Sequence, residues 1–338
     1  MHQFVFGGLF AIAFTLALTP VMERLARRTG FLEYPSERRI HSQPVPLGGG
    51  LAIFLSFWLT LALTGQWRSE LVGLLASSTV ILVTGLIDDR RSLRPGAKFL
   101  GQLVASLLLI AFDTRIEFVT NPFGGMIYLG LWSIPITLLW LIAITNVVNF
   151  IDGLDGLAAG IVAIACAPLV GVALMMDRPF IALLAVVLAG SVTGFLPYNF
   201  NPARIMMGDT GALFLGFMLG AVSIEGALKG PTAIALAVPI LALGLPIVDT
   251  IVVVIRRFRA GRPFYQADQG HVHHRLLALG YTQRQAVVLL YALSGIMGTL
   301  ALLLLGLPTG QAVVWVGSVV LVLIVSGTLL GMQTDRTG

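Results

Sequence analysis

The chain has 338 residues, 57% hydrophobic and only 11% charged, and its mean hydropathy of +0.92 lies well outside the soluble globular range. It is read as an integral membrane protein, a single domain over 1–338, in which the lone Cys166 excludes both a disulfide framework and a thiolate metal site. The excess of 21 Lys and Arg over 16 Asp and Glu reports topology in such a chain, and no nucleic-acid partner is expected.

One span takes about 20 apolar residues. Runs of that order fall near 3–21, 47–64, 71–87, 98–112, 132–150, 156–176, 180–197, 211–228, 232–255, 285–306 and 310–331. The fold expected is an all-α polytopic membrane protein with about eleven transmembrane helices. The first run follows Met1-His2 with no basic stretch and no small-residue cleavage site, so it is expected to remain as a helix. The stretch 113–131 is too polar for a span, and its β-formers flank Asn121-Pro122 and Gly124-Gly125, which predicts a short external β-hairpin. Alternating the loops puts every basic residue except Arg68, Arg115, Arg178 and Lys229 on one side. By the positive-inside rule that side is cytoplasmic, with the N-terminus out and the C-terminus in.

The unusual polar residues lie on the same side. They occur in "PSERRIHSQPVPLGGG" (35–50), "GLIDDRRSLRPGAK" (85–98), "NVVNFIDGLDGLAAG" (146–160), "PYNFNPARIMMGDTG" (197–211) and "RPFYQADQGHVHHRLLALG" (262–280). Asn146, Asn149, Asp152 and Asp155 are spaced by three, and each step turns a helix by about 300°, so one unbroken helix cannot show all four to one ligand. Gly153 and Gly156 permit a break: one helix is expected to end near Asp152 and the next to start at Asp155. Helix capping at the water interface is the plainer reading of these two acids.

Asp88 and Asp89 end an apolar run, where the helix dipole already presents negative charge, so they need a cation. Arg90 and Arg91, a divalent metal, or a basic ligand contact would serve. Asp209 precedes an apolar helix, as an N-cap or as a metal ligand beside a phosphate-binding helix N-terminus. Asp249 is an intramembrane acid without an assigned role. His271, His273 and His274 are poorly placed for zinc, and with Arg262, Asp268 and Arg275 they suggest an anionic ligand.

"GLIDDRRSLRPGAK", "NVVNFIDGLDGLAAG", "PARIMMGDTGALFLG" and "DQGHVHHRL", in this order over nearly the whole chain, resemble the polyprenyl-phosphate N-acetylhexosamine-1-phosphate transferases of glycosyltransferase family 4. "HVHH" and "RRIHSQPVPLGGG" are similar to the branch that moves N-acetylglucosamine 1-phosphate from UDP-N-acetylglucosamine to undecaprenyl phosphate, starting a cell-envelope polysaccharide. Two departures stand out: Arg39 where lysine is usual, and Gln269 where a basic residue usually precedes the histidines. Another UDP-N-acetylhexosamine, or UDP-MurNAc-pentapeptide, is the alternative donor.

The resemblance implies Mg²⁺, with Mn²⁺ as a substitute, on Asn149 and Asp209. It implies Asp88 and Asp89 as the catalytic acid pair at the lipid phosphate, and Asp152 and Asp155 as donor-site acids. Arg39, His41, Lys98, Asn146, His271, His273, His274 and Arg275 would contact substrate. The partners implied are undecaprenyl phosphate, a UDP-sugar and the bilayer, at a cytoplasmic-membrane site facing the cytoplasm, and a homodimer is compatible with the sequence. A secondary transporter, the rival class, requires acids near the bilayer midplane and pseudo-symmetric halves. Only Asp249 lies well inside a span, and no repeat is visible.

Overall fold

The structure, a computed structural model, describes residues 2–34, 43–65, 68–121, 125–227, 240–241, 243–259 and 272–304, with scattered residues of 307–322. Helix α1 (His2–Thr29) leads into a two-residue strand β1 (Leu32–Glu33) that pairs antiparallel with β2 (Val45–Pro46). Then come α2 (Gly49–Leu63), α3 (Ser69–Arg91) and α4 (Pro95–Ala111). Strands β3 (Phe118–Thr120) and β4 (Met126–Tyr128) pair antiparallel before α5 (Ser133–Ile151). Helices α6 (Leu157–Met175), α7 (Pro179–Asn199) and α8 (Gly208–Ala227) follow, and then α9 (Gly244–Arg259), α10 (Val272–Ala278) and α11 (Gln283–Leu304).

Among the described residues six helical segments are long and apolar enough to cross a membrane: His2–Thr29, Leu71–Arg91, Gly130–Ile151, Leu157–Met175, Pro179–Asn199 and Gln283–Leu304. Gly49–Leu63 and Pro95–Ala111 are apolar but shorter. The chain is thus an all-α polytopic membrane protein. A helix apolar all round belongs in the interior, and α8 behaves so: Leu213, Phe214, Leu215, Phe217, Met218 and Leu219 are wholly buried among α2, α3, α5, α6 and α7. Outer helices keep large apolar side chains on the surface, as Val5, Phe6 and Leu9 on α1 and Leu100 and Val104 on α4 do. Many buried hydroxyls within helices bond locally, for example Ser56 to the Ala52 carbonyl at 2.7 Å and Thr145 to that of Leu141 at 2.6 Å, as an interior without water favours.

With apolar surface both inside and outside, helices associate through close backbone approach at small residues. A Cβ on Gly85 of α3 would lie 2.5 Å from the Thr210 Cα of α8, and one on Gly50 of α2 would overlap the Gly211 backbone. Three chain segments therefore meet at the start of α8. Gly85→Ala is expected to cost about 1–3 kcal/mol through overpacking. Thermal unfolding of the purified protein should show the loss, with Gly96→Ala, whose Cβ meets nothing within 4 Å, as the unaffected control.

The same end of the bundle is tied by polar groups. The Gly49 and Gly50 N–H groups, left unpaired at the start of α2, donate to the Met206 and Met207 carbonyls at 3.0 and 3.1 Å. Leu47 bridges in parallel to Met206. The break foreseen after Asn149 is present: α5 stops at Ile151, and Asp152 stands at its C-cap. Gly156, with φ of 78°, supplies the left-handed residue that starts α6 and that a side chain would disfavour.

Candidate active site

The C-terminus of α3, the N-terminus of α4, the C-terminus of α5 and the N-terminus of α8 bring their polar residues together. Lys98 in the first turn of α4 is the hub. Its ammonium lies 2.9 Å from Asp88 Oδ2, donates to Asn149 Oδ1 at 3.1 Å and contacts Asp209 Oδ1. Asn149 Nδ2 donates to the same Asp209 oxygen at 2.5 Å. The Lys98 and Asp209 side chains stay 18% and 33% exposed, so a ligand can reach them from the surface.

The cost of two acids at a helix C-terminus is met here, but not by the adjacent arginines. Asp88 takes Lys98 and also accepts the Leu93 N–H at 2.7 Å. Asp89 accepts the N–H groups of Asp209 and Thr210 at 2.7 and 3.1 Å and the Thr210 hydroxyl at 2.5 Å. It thereby caps α8 from another helix, supplying the carboxylate that helix N-termini favour. Arg90 and Arg91 are exposed, and among the described residues neither has an ion-pair partner.

Beneath the hub lies a second polar layer. Asn146, one turn before Asn149, donates to Gln102 Oε1 at 2.6 Å and receives from Gln102 Nε2 at 3.3 Å. This pair fixes α4 against α5, so Lys98 and Asn149 are held in register. Asn146 is thus engaged behind the hub, where the sequence reading had placed it against substrate.

Asp155 also differs from its expected setting. It is 1% exposed, and its Oδ2 accepts from Asn201 Nδ2 and the Ala203 N–H, both at 2.9 Å. The N-cap of α6 is Gly156. Its N–H donates to Asn199 Oδ1 at 3.1 Å, and its carbonyl accepts the Tyr291 hydroxyl at 2.5 Å. Gln102, Thr210, Asn199, Asn201 and Tyr291 are structural partners that sequence reasoning missed. Only Gln102 carried a signal, four residues after Lys98 on one helical face.

Asp152, on the open side of the turn, is partly exposed. Loss of water around its carboxyl nevertheless pushes it well above the ordinary carboxylate range, and the charges of Asp209, Glu33, Asp89 and Asp155 push the same way. Opposite, His273 is buried against the turn: a Cβ on Gly153 would stand 2.5 Å from its Nε2. His274 packs on His273 with ring centroids 4.4 Å apart, and Arg275 follows in α10. Asp249, without an assigned role from sequence, accepts the Val272 N–H at 2.9 Å and so caps the helix that carries the histidines. Arg39, His41 and His271 lie outside the described residues.

Among the described residues no group of three or more His, Cys, Asp or Glu side chains is arranged to hold a metal ion. Three oxygens do converge on one cation, the Lys98 ammonium: those of Asp88, Asn149 and Asp209. Hard oxygen donors with only one or two carboxylates suit Mg²⁺, which keeps waters and substrate phosphates in its shell. Of the three oxygens, those of Asn149 and Asp209 are of the kind that would suit that ion.

A family model described as "Glycosyl transferase family 4" matches residues 71–227, the stretch that runs from α3 to α8 and contains the whole hub. The chain is 36% identical to the probable undecaprenyl-phosphate N-acetylglucosaminyl 1-phosphate transferase of Bacillus subtilis, covering 90% of this chain and 86% of that protein. It is 35% identical to the decaprenyl-phosphate N-acetylglucosaminephosphotransferase of Mycolicibacterium smegmatis, over 96% and 88%. With the undecaprenyl-phosphate alpha-N-acetylglucosaminyl 1-phosphate transferase of Escherichia coli K12 the identity is 24%, over 86% and 81%. A membrane bundle with an acid–lysine–asparagine hub at one end, similar over nearly its full length to these proteins, belongs to glycosyl transferase family 4.

Proposed function

We propose that this protein transfers N-acetylglucosamine 1-phosphate from UDP-N-acetylglucosamine to a polyprenyl phosphate, undecaprenyl phosphate being the acceptor, and releases UMP. The observation that carries the reading is the convergence of Asp88, Asn149 and Asp209 on one cationic centre at a helix N-terminus. An oxygen of the lipid phosphate attacks the sugar-bearing phosphorus of the donor. The bond from that phosphorus to the oxygen bridging to the uridine phosphate breaks, UMP leaves with the electron pair, and a lipid diphosphate sugar remains.

Such a transfer needs positioning and charge neutralisation more than covalent help. Lys98 places a positive charge among the reacting phosphates, and Asp88 and Asp209 hold it there. Asn149 and Asp209 would hold Mg²⁺, or Mn²⁺ with the same preference for oxygen, which when bound supplies further neutralisation. A phosphate monoester with a second pKa near 6 is already mostly dianionic at neutral pH, so the acceptor needs no strong base. In this reading Asp88 orients Lys98, while Asp152, His273, His274 and Arg275 form the wall facing the donor. The full reading has eleven spans, N-terminus out and C-terminus in, with the hub at the cytoplasmic face, where UDP-sugars are found.

The test is to incubate purified protein with undecaprenyl phosphate, Mg²⁺ and a panel of UDP-sugars and to measure UMP. Release with UDP-N-acetylglucosamine is expected. Silence with every donor would remove the transferase reading, and release only with UDP-MurNAc-pentapeptide would move the chain to another branch.

A further inference from the structure

A cavity of about 580 Å³ lies between the end of α1, the start of α2 and the end of α3, and no residue of the acid–lysine hub lines it. Its walls are apolar, with Met22, Leu25, Leu47, Leu51, Val83 and Ile87 among them, and its polar lip is Arg90 and Arg91. Both volume and lining are those of a ligand pocket, mostly apolar with a few polar groups that orient the occupant. Leu25, Val83 and Ile87 are 50%, 46% and 43% exposed on helices long enough to span, so the groove opens sideways to the acyl chains of the bilayer.

Along α3 the groove face is Val83, Leu86, Ile87 and Arg90, at helical spacing. At about 100° per residue Asp88 and Asp89 turn away from it, and both are bound to α4 and α8. The groove thus lies on a different face of α3 from the one that carries the acids of the hub, which sets it apart from the acceptor. Arg90 and Arg91 end the span Leu71–Arg91, at the level of lipid headgroups. Among the described residues they have no ion-pair partner, and two guanidiniums side by side present forked donors that match phosphate.

We propose that this groove binds an anionic glycerophospholipid, with an acyl chain between α1, α2 and α3 and its phosphate on Arg90 and Arg91. Basic pockets between membrane helices take anionic headgroups in this way. The inference requires only that the protein sits in a membrane, so it stands or falls separately from the transferase reading.

The experiment is native mass spectrometry of the delipidated full-length protein, given equal amounts of dioleoylphosphatidylglycerol and dioleoylphosphatidylcholine. The wild type should retain one phosphatidylglycerol in preference by about tenfold. R90Q/R91Q should bring the two lipids near parity, whereas R24Q/R28Q, which alters exposed arginines outside the groove, should keep the preference. Leu25→Trp with Ile87→Trp, which fills the groove and leaves the charges, should reduce occupancy by both lipids. An unchanged preference in R90Q/R91Q, or an equal loss in R24Q/R28Q, would overturn the proposal. Displacement of phosphatidylglycerol by equimolar undecaprenyl phosphate would overturn it too, by giving the groove to the acceptor.

Discussion

Asp209→Asn is expected to lower UMP release by a factor of about 10² to 10³, the usual loss when one fixed charge around a transferring group is removed, while the folded protein survives. The carboxylate oxygen of Asp209 takes the Lys98 ammonium and the Asn149 amide together. An amide can offer one oxygen to these donors, but without the charge, and its own N–H₂ must then face outward. Stability should hold because the start of α8 is not capped by this side chain: the backbone N–H groups of residues 209 and 210 go to Asp89, and Asn keeps its N–H. Turnover and thermal unfolding measured on one preparation check both halves. Near-normal turnover would remove Asp209 from the site.

Asp89→Ala should behave differently, losing both stability and turnover. Three hydrogen bonds to one carboxylate vanish, two of them from backbone N–H groups that α8 cannot satisfy internally. Loss of a cap costs about 0.5–2 kcal/mol and hydrogen bonds to a charged group about 1.5–3, so a net loss of roughly 2–3 kcal/mol is expected. Turnover falls because Asp209 is carried on the turn that Asp89 holds. Unfolding should therefore come several degrees earlier in Asp89→Ala than in Asp209→Asn. A variant with wild-type unfolding and no turnover would instead return Asp89 to direct contact with the lipid phosphate, the role that the family resemblance implies.

These two acids show where sequence stops being informative. Asp209 after Gly208, and the end of a helix at Asp152, follow from local backbone chemistry, so both could be placed from the residues alone. The partner of Asp89 stands 120 residues away. The cations visible beside it, Arg90 and Arg91, are carried by the turn of the helix to another face. Asp155 looked like an N-cap because it precedes an apolar run, but Gly156 takes that position and leaves the carboxylate for the 201–203 loop. Gln102 was visible at helical spacing from Lys98, yet its meaning depended on which residue of α5 lay opposite. Span lengths were legible only roughly, since hydropathy marks an apolar run and not the shorter helices Gly49–Leu63 and Pro95–Ala111 that form within it.

The turn between α5 and α6 contains two glycines, which in isolation would suggest a pivot. Asn199 holds its Gly156 amide, Tyr291 its carbonyl, and Asp155 the loop that follows Asn199, so two separate segments, the end of α7 with its loop and α11, brace one corner. A joint held from two segments transmits force without bending. In the proposed reaction, movement that admits or releases substrate would then fall to the elements around this corner, and Asn149 and Asp152 would keep their places.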